Sequence, residues 1–384
     1  MMMMKSEVVI IGGGINGCAL AYELSLRDVS VILVEKKYLT YGATGRCGAG
    51  IRQQWSTREN VELAMDSVKI FEELQHGNQW DIGLRQGGYL IVIHDEEELG
   101  QMKKNVQMQQ SLGLDVSLVE KDQIPQIVPS LDPSGMDAMG ATFCPSDGHA
   151  DPFKTTYAYA HAARAQGAQL YTQTEVTDIR SQNGEIQKVK TTRGSIKTGI
   201  VINAAGAWSQ RIASMLDVAV PNVPFRKEIL VTERLQPLFE AMVISFRDGI
   251  YFSQMEGGQI VGGIPIPHEQ PGYLMEPTFT FLQHMSRTLT RYMPCLKHLN
   301  VLRQWTGFYD VTPDALPILG ETPGLNRFIQ CHGFSGHGFM VAPMIARLLS
   351  QLIIEEKSCP ILDRLGLHRF KDKDWKVQER SVVG

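Results

Sequence analysis

The stretch that decides the fold is VVIIGGGINGCALAYELSLRDVSVILVE, residues 8–35. Its first four residues form an apolar, β-branched run, which predicts a strand buried on both faces. Residues 18–26 have helical spacing, and a second apolar run ends in Glu35. These three parts predict a βαβ unit, the setting in which a glycine-rich turn binds a dinucleotide.

The turn of this unit carries Gly12, Gly14 and Gly17 at the spacing GxGxxG. We expect Gly12 to permit the tight turn, Gly14 to let a pyrophosphate approach the backbone, and Gly17 to let helix and strand pack closely. Free N–H groups at the helix start would hold the phosphates. Glu35 would accept hydrogen bonds from a ribose diol, which favours FAD or NAD over NADP.

The composition bounds the possible functions. The 384 residues exceed a usual single core, so two domains are expected. A formal net charge of −4 offers no basic stripe for nucleic acid. The six cysteines show no CxxC pair and no histidine at metal spacing, which predicts reduced thiols, no metal site and a cytoplasmic location. We also expect no signal peptide and no transmembrane segment.

The rest of the chain changes character twice. Residues 36–50 form a small-residue loop that can lie flat against an extended cofactor. Residues 200–208 predict a buried strand ending in small residues, whereas 221–303 predict short strands with prolines, as in a sheet-based substrate domain. The last part of the chain again resembles the N-terminal part, with a predicted strand at 327–331 followed by a glycine-rich turn and a helix. The remaining predicted elements are helices at 60–76, 95–112, 152–167, 278–292 and 339–355, a strand at 87–92, and strands at 170–179 and 187–192 joined by a hairpin turn at 183–184.

Four further motifs accompany the βαβ unit: ATGR at 43–46, NAAGAW at 203–208, TPD at 312–314 and GFSGHG at 333–338. Together they resemble FAD-dependent amine oxidoreductases of the D-amino-acid oxidase superfamily, in the branch of sarcosine oxidases, glycine oxidase and the β subunits of dye-linked proline dehydrogenase. The likeness covers nearly the whole chain.

The resemblance implies a fold of class α/β plus α+β. A discontinuous Rossmann-like FAD-binding domain would comprise residues 1–85, 145–215 and 305–384, and a β-sheet-based substrate domain would comprise 86–144 and 216–304. The cofactor-binding residues that the motifs and the resemblance indicate are Gly12, Gly14, Ile15, Asn16, Glu35, Lys36, Thr44, Gly45, Arg46, Val176, Ala205, Gly206, Trp208, Gly307, Gly333, Gly336, His337, Gly338, Phe339 and Met340.

The closing motif, residues 333–338, also has a chemical interpretation of its own. Its glycines would bring N–H groups and a helix N-terminus, with its partial positive charge, towards a ligand. A flavin gains negative charge around N1 and C2=O on reduction, so such a helix start would favour the reduced form. The alternative is a tight strand-to-helix connection without a ligand.

Three residues are candidates for the substrate side. Arg52 is the best carboxylate anchor, because its planar fork can bind a carboxylate bidentately and the family has an arginine there in an Ile-Arg pair. Arg46 is its neighbouring competitor, and a surface salt bridge is the alternative role for Arg52. Tyr251 would lie beside the substrate or simply pack in the core. His337 would touch the flavin edge or merely be exposed.

The sequence departs from the family at three positions. Gly307 stands where covalent members carry a cysteine, which implies noncovalent FAD. Met340 replaces a lysine of the carboxylate clamp, so the clamp would carry less charge. Ile260 aligns with the lysine credited with activating oxygen, which predicts a dehydrogenase that reacts slowly with oxygen.

The expected function is oxidation of the C–N bond of a small amino or imino acid of the sarcosine, proline, hydroxyproline or glycine type, with hydride transfer to flavin N5. The electron acceptor would be a dye, a quinone or a partner flavin, with a second subunit and FMN in a heteromeric enzyme. One alternative is a FAD-dependent 2-hydroxy acid dehydrogenase, which needs a base for the hydroxyl proton. Another is a noncatalytic FAD-holding electron-relay subunit of a larger complex.

Overall fold

The structure, a computed structural model, describes residues 4–77, 80–371 and 379. The strands are β1 Met4–Lys5, β2 Val8–Ile11, β3 Val31–Val34, β4 Gly50–Ile51, β5 Tyr89–Ile93, β6 Ser117–Glu120, β7 Gly140–Cys144, β8 Gly148–His149, β9 Gln169–Tyr171, β10 Val176–Gln182, β11 Glu185–Thr191, β12 Gly194–Lys197, β13 Ile200–Asn203, β14 Val223–Arg234, β15 Met242–Ser245, β16 Tyr251–Gln254, β17 Gln259–Gly263, β18 Val301–Val311, β19 Ile318–Thr322 and β20 Leu325–His332.

The α-helices are α1 Ile15–Ser25, α2 Arg58–Glu72, α3 Glu96–Ser111, α4 Ile124–Ile127, α5 Pro152–Ala165, α6 Ser209–Ala213, α7 Phe279–Tyr292, α8 Gly338–Glu355 and α9 Pro360–Leu365. Short turns of other helix types include a π-helix at Glu73–Gly77 and 3₁₀ helices at Thr44–Arg46 and Gly206–Trp208.

The first sheet has ten strands and a parallel centre in the order β20-β13-β2-β3-β9. Strands β2 and β3 flank helix α1 in sequence, so the predicted βαβ unit is confirmed. All four residues of β2 are buried, as expected for a strand covered on both faces. Helices α5 and α8 pack against α1. The carboxyl ends of β2, β3 and β13 therefore meet at one edge of this sheet, where α/β proteins bind their ligands.

The second sheet has eight strands in the order β18-β14-β17-β16-β15-β5-β7-β6. Apart from the parallel pair β15–β5, its neighbours run antiparallel. Helix α7 packs on it through Phe281, Met285 and Leu289, and Thr278 caps this helix by accepting a hydrogen bond from Phe281 N.

Each sheet draws on separate stretches of the chain, which confirms the expected fold class. Strand β18 corrects one expected domain boundary, because it crosses position 305 and lies entirely in the second sheet. The other boundaries stay predictions.

Several sequence-based elements need correction. The expected strand at 170–179 is wrong: β9 pairs with β3, and only β10 pairs with β11. The hairpin turn at 183–184 is confirmed, with both residues in the left-handed region (φ 52° and 79°). The strand expected at 200–208 ends at Asn203 because a 3₁₀ helix follows. Helix α8 is long and apolar enough to meet the criteria for a bilayer span, which corrects the expectation that no segment would. More than half of it is nevertheless buried, against α1 and α2, as in a core helix.

Candidate active site

A cavity of about 310 Å³ is lined by residues of both sheets. The first sheet contributes the glycine turn after β2 and the loops after β3 and β13. The second sheet contributes side chains of β14, β16 and β18. Arg52, Tyr251 and His337 line this cavity, as do Gly12, Gly14, Ile15, Asn16, Glu35, Lys36, Thr44, Arg46, Val176, Ala205, Gly206, Trp208, Gly307, Gly336, Gly338, Phe339 and Met340.

Two expected cofactor-binding residues do not line the cavity. A Cβ atom on Gly45 would lie 2.6 Å from Thr40 O, so this glycine serves close packing of the loop. Gly333 has φ +76°, and a Cβ there would lie 2.6 Å from Thr312 Cγ2. These two glycines shape the backbone beside the cavity and do not form its wall.

The glycine turn has the geometry that its sequence predicts. Gly12 has φ +117°, and a Cβ there would lie 2.3 Å from Ala204 O. A Cβ on Gly17 would lie 2.0 Å from Gly12 O. In both cases the Cβ would meet a backbone oxygen, so a rotamer change cannot make room for a side chain. The turn therefore requires glycine at both positions.

Glu35 has a structural task besides the expected one. Its Oε2 accepts a hydrogen bond of 2.8 Å from Gly13 N, and its Oε1 accepts one of 2.8 Å from Lys37 N. Each carboxylate oxygen keeps a second lone pair. Glu35 can therefore hold the glycine turn and still accept from a ribose hydroxyl.

Aromatic and cationic side chains wall the cavity next to Glu35. The Lys36 Nζ atom lies 3.4 Å from the centroid of the Trp208 ring, and burial lowers the pKa of Lys36 to about 8. Trp208 in turn stacks on Tyr273, with ring planes 24° apart. An aromatic ring and a lysine thus stand beside Glu35 in the cavity wall.

The starts of helices α1 and α8 meet at the cavity. Ile15 N donates to Thr44 Oγ1 over 3.1 Å, which ties the small-residue loop to the start of α1. The Asn16 side chain donates from Nδ2 to Gly338 O over 3.2 Å, which ties α1 to α8. Two helix N-termini with their positive partial charges thus face one cavity.

The closing turn at 333–338 places His337 in the wall of the cavity. Burial and the nearby Arg52 guanidinium lower the pKa of His337 to about 3, so its imidazole is neutral at pH 7. Its ring meets the Trp55 ring edge-on at 4.6 Å. His337 therefore brings no positive charge to the cavity.

Arg52 is 2 % exposed, which rules out the surface salt bridge considered as its alternative role. Its guanidinium carbon lies 4.3 Å from the Trp55 ring centroid and 5.4 Å from that of Phe246. Arg46, by contrast, donates from Nε to Tyr41 O and from Nη1 to Thr306 O, each over 3.0 Å. Both arginines line the cavity, and two of the Arg46 donors are bonded to backbone carbonyls.

The segment that carries Arg52 is held by a buried carboxylate that the sequence analysis did not single out. Asp147 Oδ1 accepts from Gln53 N over 2.8 Å, and Oδ2 accepts from Gln54 Nε2 over 3.0 Å. Burial raises the pKa of Asp147 to about 6. Strand β4, which precedes Arg52, pairs with β8, which follows Asp147.

Tyr251 lines the cavity, as expected for a residue beside the substrate, together with Tyr309, which the sequence analysis missed. The hydroxyls of Tyr251 and Tyr309 interact with each other, and burial raises the pKa of both, that of Tyr309 to about 12. A signal for Tyr309 was present: it lies two residues after Gly307 on one strand, so both share a face.

The sequence-based assignment of Ile260 to a position beside the flavin is wrong. Ile260 is fully buried in the hydrophobic cluster of the second sheet and helix α7, with Phe281 and Met285, and it does not line the cavity. Besides Lys36, a lysine of the second sheet lines the cavity: Lys227 on β14, directly opposite Gly307 in the β14–β18 pairing. Its Nζ atom lies 5.3 Å from the Tyr309 ring centroid. The sheet therefore does present a cation to the cavity.

A family model described as FAD dependent oxidoreductase matches residues 7–352. The chain belongs to this family. A similar curated relative is the sarcosine oxidase subunit beta of Arthrobacter sp, 28% identical over 95% of this chain and 91% of the relative. The human mitochondrial dimethylglycine dehydrogenase is 26% identical, over 98% of this chain and 45% of its own length.

Solved structures agree in fold. The L-proline dehydrogenase from P. horikoshii superposes with a TM-score of 0.92 at 37% identity, over 98% of this chain and all of that one. The glycine oxidase from Geobacillus kaustophilus superposes with a TM-score of 0.86 at 26% identity, over 95% of this chain and 99% of that one. Nearly the whole of this chain therefore shares one fold with these oxidoreductases.

The residues present fit FAD. The cavity wall lacks side chains at several glycines, two helix starts face it, and Glu35, which could accept from a ribose hydroxyl, and Trp208 line it. The glycines in question are Gly12, Gly14, Gly42, Gly48, Gly206, Gly307 and Gly336. In the described ranges no group of three His, Cys, Asp or Glu side chains could hold a metal ion.

Proposed function

We propose that this enzyme oxidises the C–N bond of a small amino or imino acid. The observation that carries the proposal is Arg52, a guanidinium that lines the cavity while being 2 % exposed. A cation in so dry a place binds a carboxylate far more strongly than it would in water. The names of the relatives, which act on sarcosine, proline and glycine, support the same substrate class.

The chain's own residues orient the substrate. Arg52 would bind the α-carboxylate, with its plane fixed between the Trp55 and Phe246 rings. The Tyr251–Tyr309 pair would bound the opposite side and exclude water from the amine. FAD, when bound, supplies the hydride acceptor. A deprotonated amine needs no further base, and water can hydrolyse the resulting imine, so orientation is the main task of the protein.

A 2-hydroxy acid substrate is disfavoured by the same geometry, because it needs a general base. His337 is the histidine that faces the cavity next to Arg52. Its pKa of about 3 makes it a weak proton acceptor at pH 7. Oxidation of a 2-hydroxy acid is therefore not supported by an effective general base at His337.

The test is anaerobic bleaching of the flavin absorbance across a panel of sarcosine, L- and D-proline, hydroxyprolines, glycine and 2-hydroxy acids. We expect at least one amino or imino acid to reduce the flavin and every 2-hydroxy acid to leave it oxidised. Reduction by a 2-hydroxy acid alone would overturn the proposed substrate class.

The proposed binding of FAD is noncovalent. Support comes from Gly307, which has no side chain to form a bond at the position where covalent members carry a cysteine. Acid precipitation should therefore leave the yellow flavin in the supernatant. A precipitate that stays yellow after repeated washing would show a covalent bond.

The proposed electron acceptor is a dye, a quinone or a partner flavin, since the solved relative with 37% identity is named a dehydrogenase. A second subunit, with FMN as the next electron carrier, belongs to this proposal because two relatives are named as β subunits. In a stopped-flow instrument, reduced enzyme is mixed with air-saturated buffer or with a dye, and the two rates of flavin reoxidation are compared. Reoxidation by oxygen as fast as by the dye would exclude a pure dehydrogenase.

The expected cytoplasmic location also stays a proposal; the six free cysteines support it.

A further inference from the structure

A buried carboxyl that the proposed reaction does not use lies beside the closing turn. Asp310 follows Tyr309 on β18, lines the cavity and is 8 % exposed. Its Oδ2 accepts a hydrogen bond of 2.6 Å from Gly333 N, and its Oδ1 accepts one from Asn222 Nδ2. Its backbone carbonyl accepts a third, of 3.0 Å, from Ser335 N. One residue of the second sheet thus grips the turn at two points.

The backbone of this turn adopts conformations that persist only when neighbouring groups hold it in place. Gly333, Ser335 and Gly336 have φ values of 76°, 49° and 98°, all in the left-handed region. A non-glycine residue there, such as Ser335, costs free energy and persists only where the surroundings fix it. A Cβ on Gly336 would lie 2.5 Å from the Tyr309 ring. The backbone of the turn therefore lies directly against the strand that carries Asp310.

The carboxyl is not neutralised by a cation. In the described part of the chain no lysine or arginine forms an ion pair with Asp310, and its partners are amide groups. Asp314, four residues along, instead pairs with Arg369 over 2.8 Å. Burial raises the pKa of Asp310 to about 7, against the opposing effect of its two hydrogen bonds. Above about pH 7 the carboxyl is therefore ionised, and its negative charge is offset by hydrogen bonds and not by an ion pair with a described lysine or arginine.

We propose that Asp310 is a positioning residue for the flavin and tunes its reduction. Its carboxyl holds the Gly333 turn so that the N–H groups and helix start that follow face the cavity. Its negative charge opposes the charge that a flavin gains on reduction, and so offsets part of the effect of the helix dipole. The inference rests on the family's cofactor and not on the identity of the substrate.

Asp310→Asn separates the charge from the hydrogen bonds. The amide oxygen can still accept from Gly333 N. Asn222 can reverse its own amide to receive the new NH₂ group, since its Oδ1 has no partner among the described residues. We therefore expect a folded protein with bound FAD that lacks one negative charge. Asp310→Ala loses the hydrogen bonds as well.

The measurement uses sulfite, which adds to an oxidised flavin and leaves it with the negative charge of the reduced form. At about pH 9, where Asp310 of the wild type is ionised, Asp310→Asn holoenzyme should bind sulfite about tenfold more tightly than wild type, and its midpoint potential should be more positive. Asp310→Ala apoprotein should bind added FAD about tenfold more weakly. Asp314→Asn is the matched control: it should lower the melting temperature but leave the sulfite affinity unchanged.

Two results of the sulfite titration would overturn the proposal. A sulfite dissociation constant of Asp310→Asn that equals or exceeds that of wild type would show that the charge does not act on the flavin. An Asp314→Asn variant that tightens sulfite binding as much as Asp310→Asn would show a general effect of loosening. If the alanine variant does not fold, the Asp310→Asn titration by itself decides.

Discussion

The two ends of the cavity are built in different ways. At the cofactor end, a contiguous stretch supplies the glycine turn, the helix start and the acid, and Glu35 hydrogen-bonds back to Gly13 N within it. At the substrate end, Arg52, Tyr251 and Tyr309 come from three distant parts of the chain. The first end depends on backbone conformation, and the second depends on tertiary packing that brings side chains together.

The supports of the two ends show the same contrast. Asp147 holds the segment of Arg52 through the backbone and side chains of Gln53 and Gln54. Asp310 holds the closing turn through N–H groups of glycine and serine backbone. A comparison of substitutions at the two ends therefore separates loss of cofactor from loss of substrate recognition.

The largest effect is expected at the cofactor end, for Gly17→Ala. The added Cβ would lie 2.0 Å from Gly12 O, and neither backbone atom can move without opening the turn. We expect destabilisation by about 3 kcal/mol and loss of bound FAD. Chemical denaturation and the flavin absorbance of the purified protein measure both. Gly100→Ala, on the exposed face of α3 with open space around it, is the control and should be neutral or slightly stabilising.

The second effect belongs to the substrate end. Arg52→Lys should leave the FAD content intact and weaken substrate binding by about 1.5–3 kcal/mol, because one ammonium cannot replace a bidentate charge-assisted contact. Titration of the oxidised flavin spectrum with a competitive carboxylate ligand gives the dissociation constant. Arg58→Lys, at a solvent-exposed arginine, is the control. An unchanged dissociation constant for Arg52→Lys would move the anchor elsewhere.

The same contrast explains what the sequence could predict. The glycine turn and Glu35 could be assigned because their function depends on spacing within one βαβ unit. Arg52 could be proposed as a carboxylate anchor, but its burial could not, since Trp55 and Phe246 reach it through tertiary packing. Ile260 misled because the strand that carries it, β17, contributes no residue to the cavity wall, and only the folded sheet shows this. Lys227 was missed because it lies opposite Gly307 only once β14 and β18 pair.

A smaller effect is expected for the tyrosine pair. Tyr309→Phe removes the hydroxyl partner of Tyr251 and should weaken substrate binding by about 1 kcal/mol. Because the two hydroxyls form one hydrogen bond, Tyr251→Phe and Tyr309→Phe should be non-additive in the double variant. Additive dissociation constants would show that the hydroxyls act independently of each other.

The smallest effect is expected for Glu379, whose buried carboxylate accepts from Ser56 Oγ over 2.6 Å and from Asn60 Nδ2 over 2.9 Å. These residues lie at the start of α2, shortly after Arg52. Glu379→Gln should raise the substrate KM by less than Arg52→Lys does, about threefold, with kcat unchanged. Glu356→Gln, in an exposed pair with Arg327, should change neither. A fall in kcat at constant KM would contradict an effect confined to substrate binding.

The most direct test of the central claim, that buried Arg52 selects a carboxylate, is anaerobic flavin reduction by matched substrate pairs. L-Proline is compared with pyrrolidine, and sarcosine with dimethylamine, which lack only the carboxylate. The account predicts that the amino or imino acid which reduces the flavin does so far faster than its carboxylate-free partner, and that Arg52→Lys narrows this difference. Equal reduction rates for both members of the productive pair would contradict it.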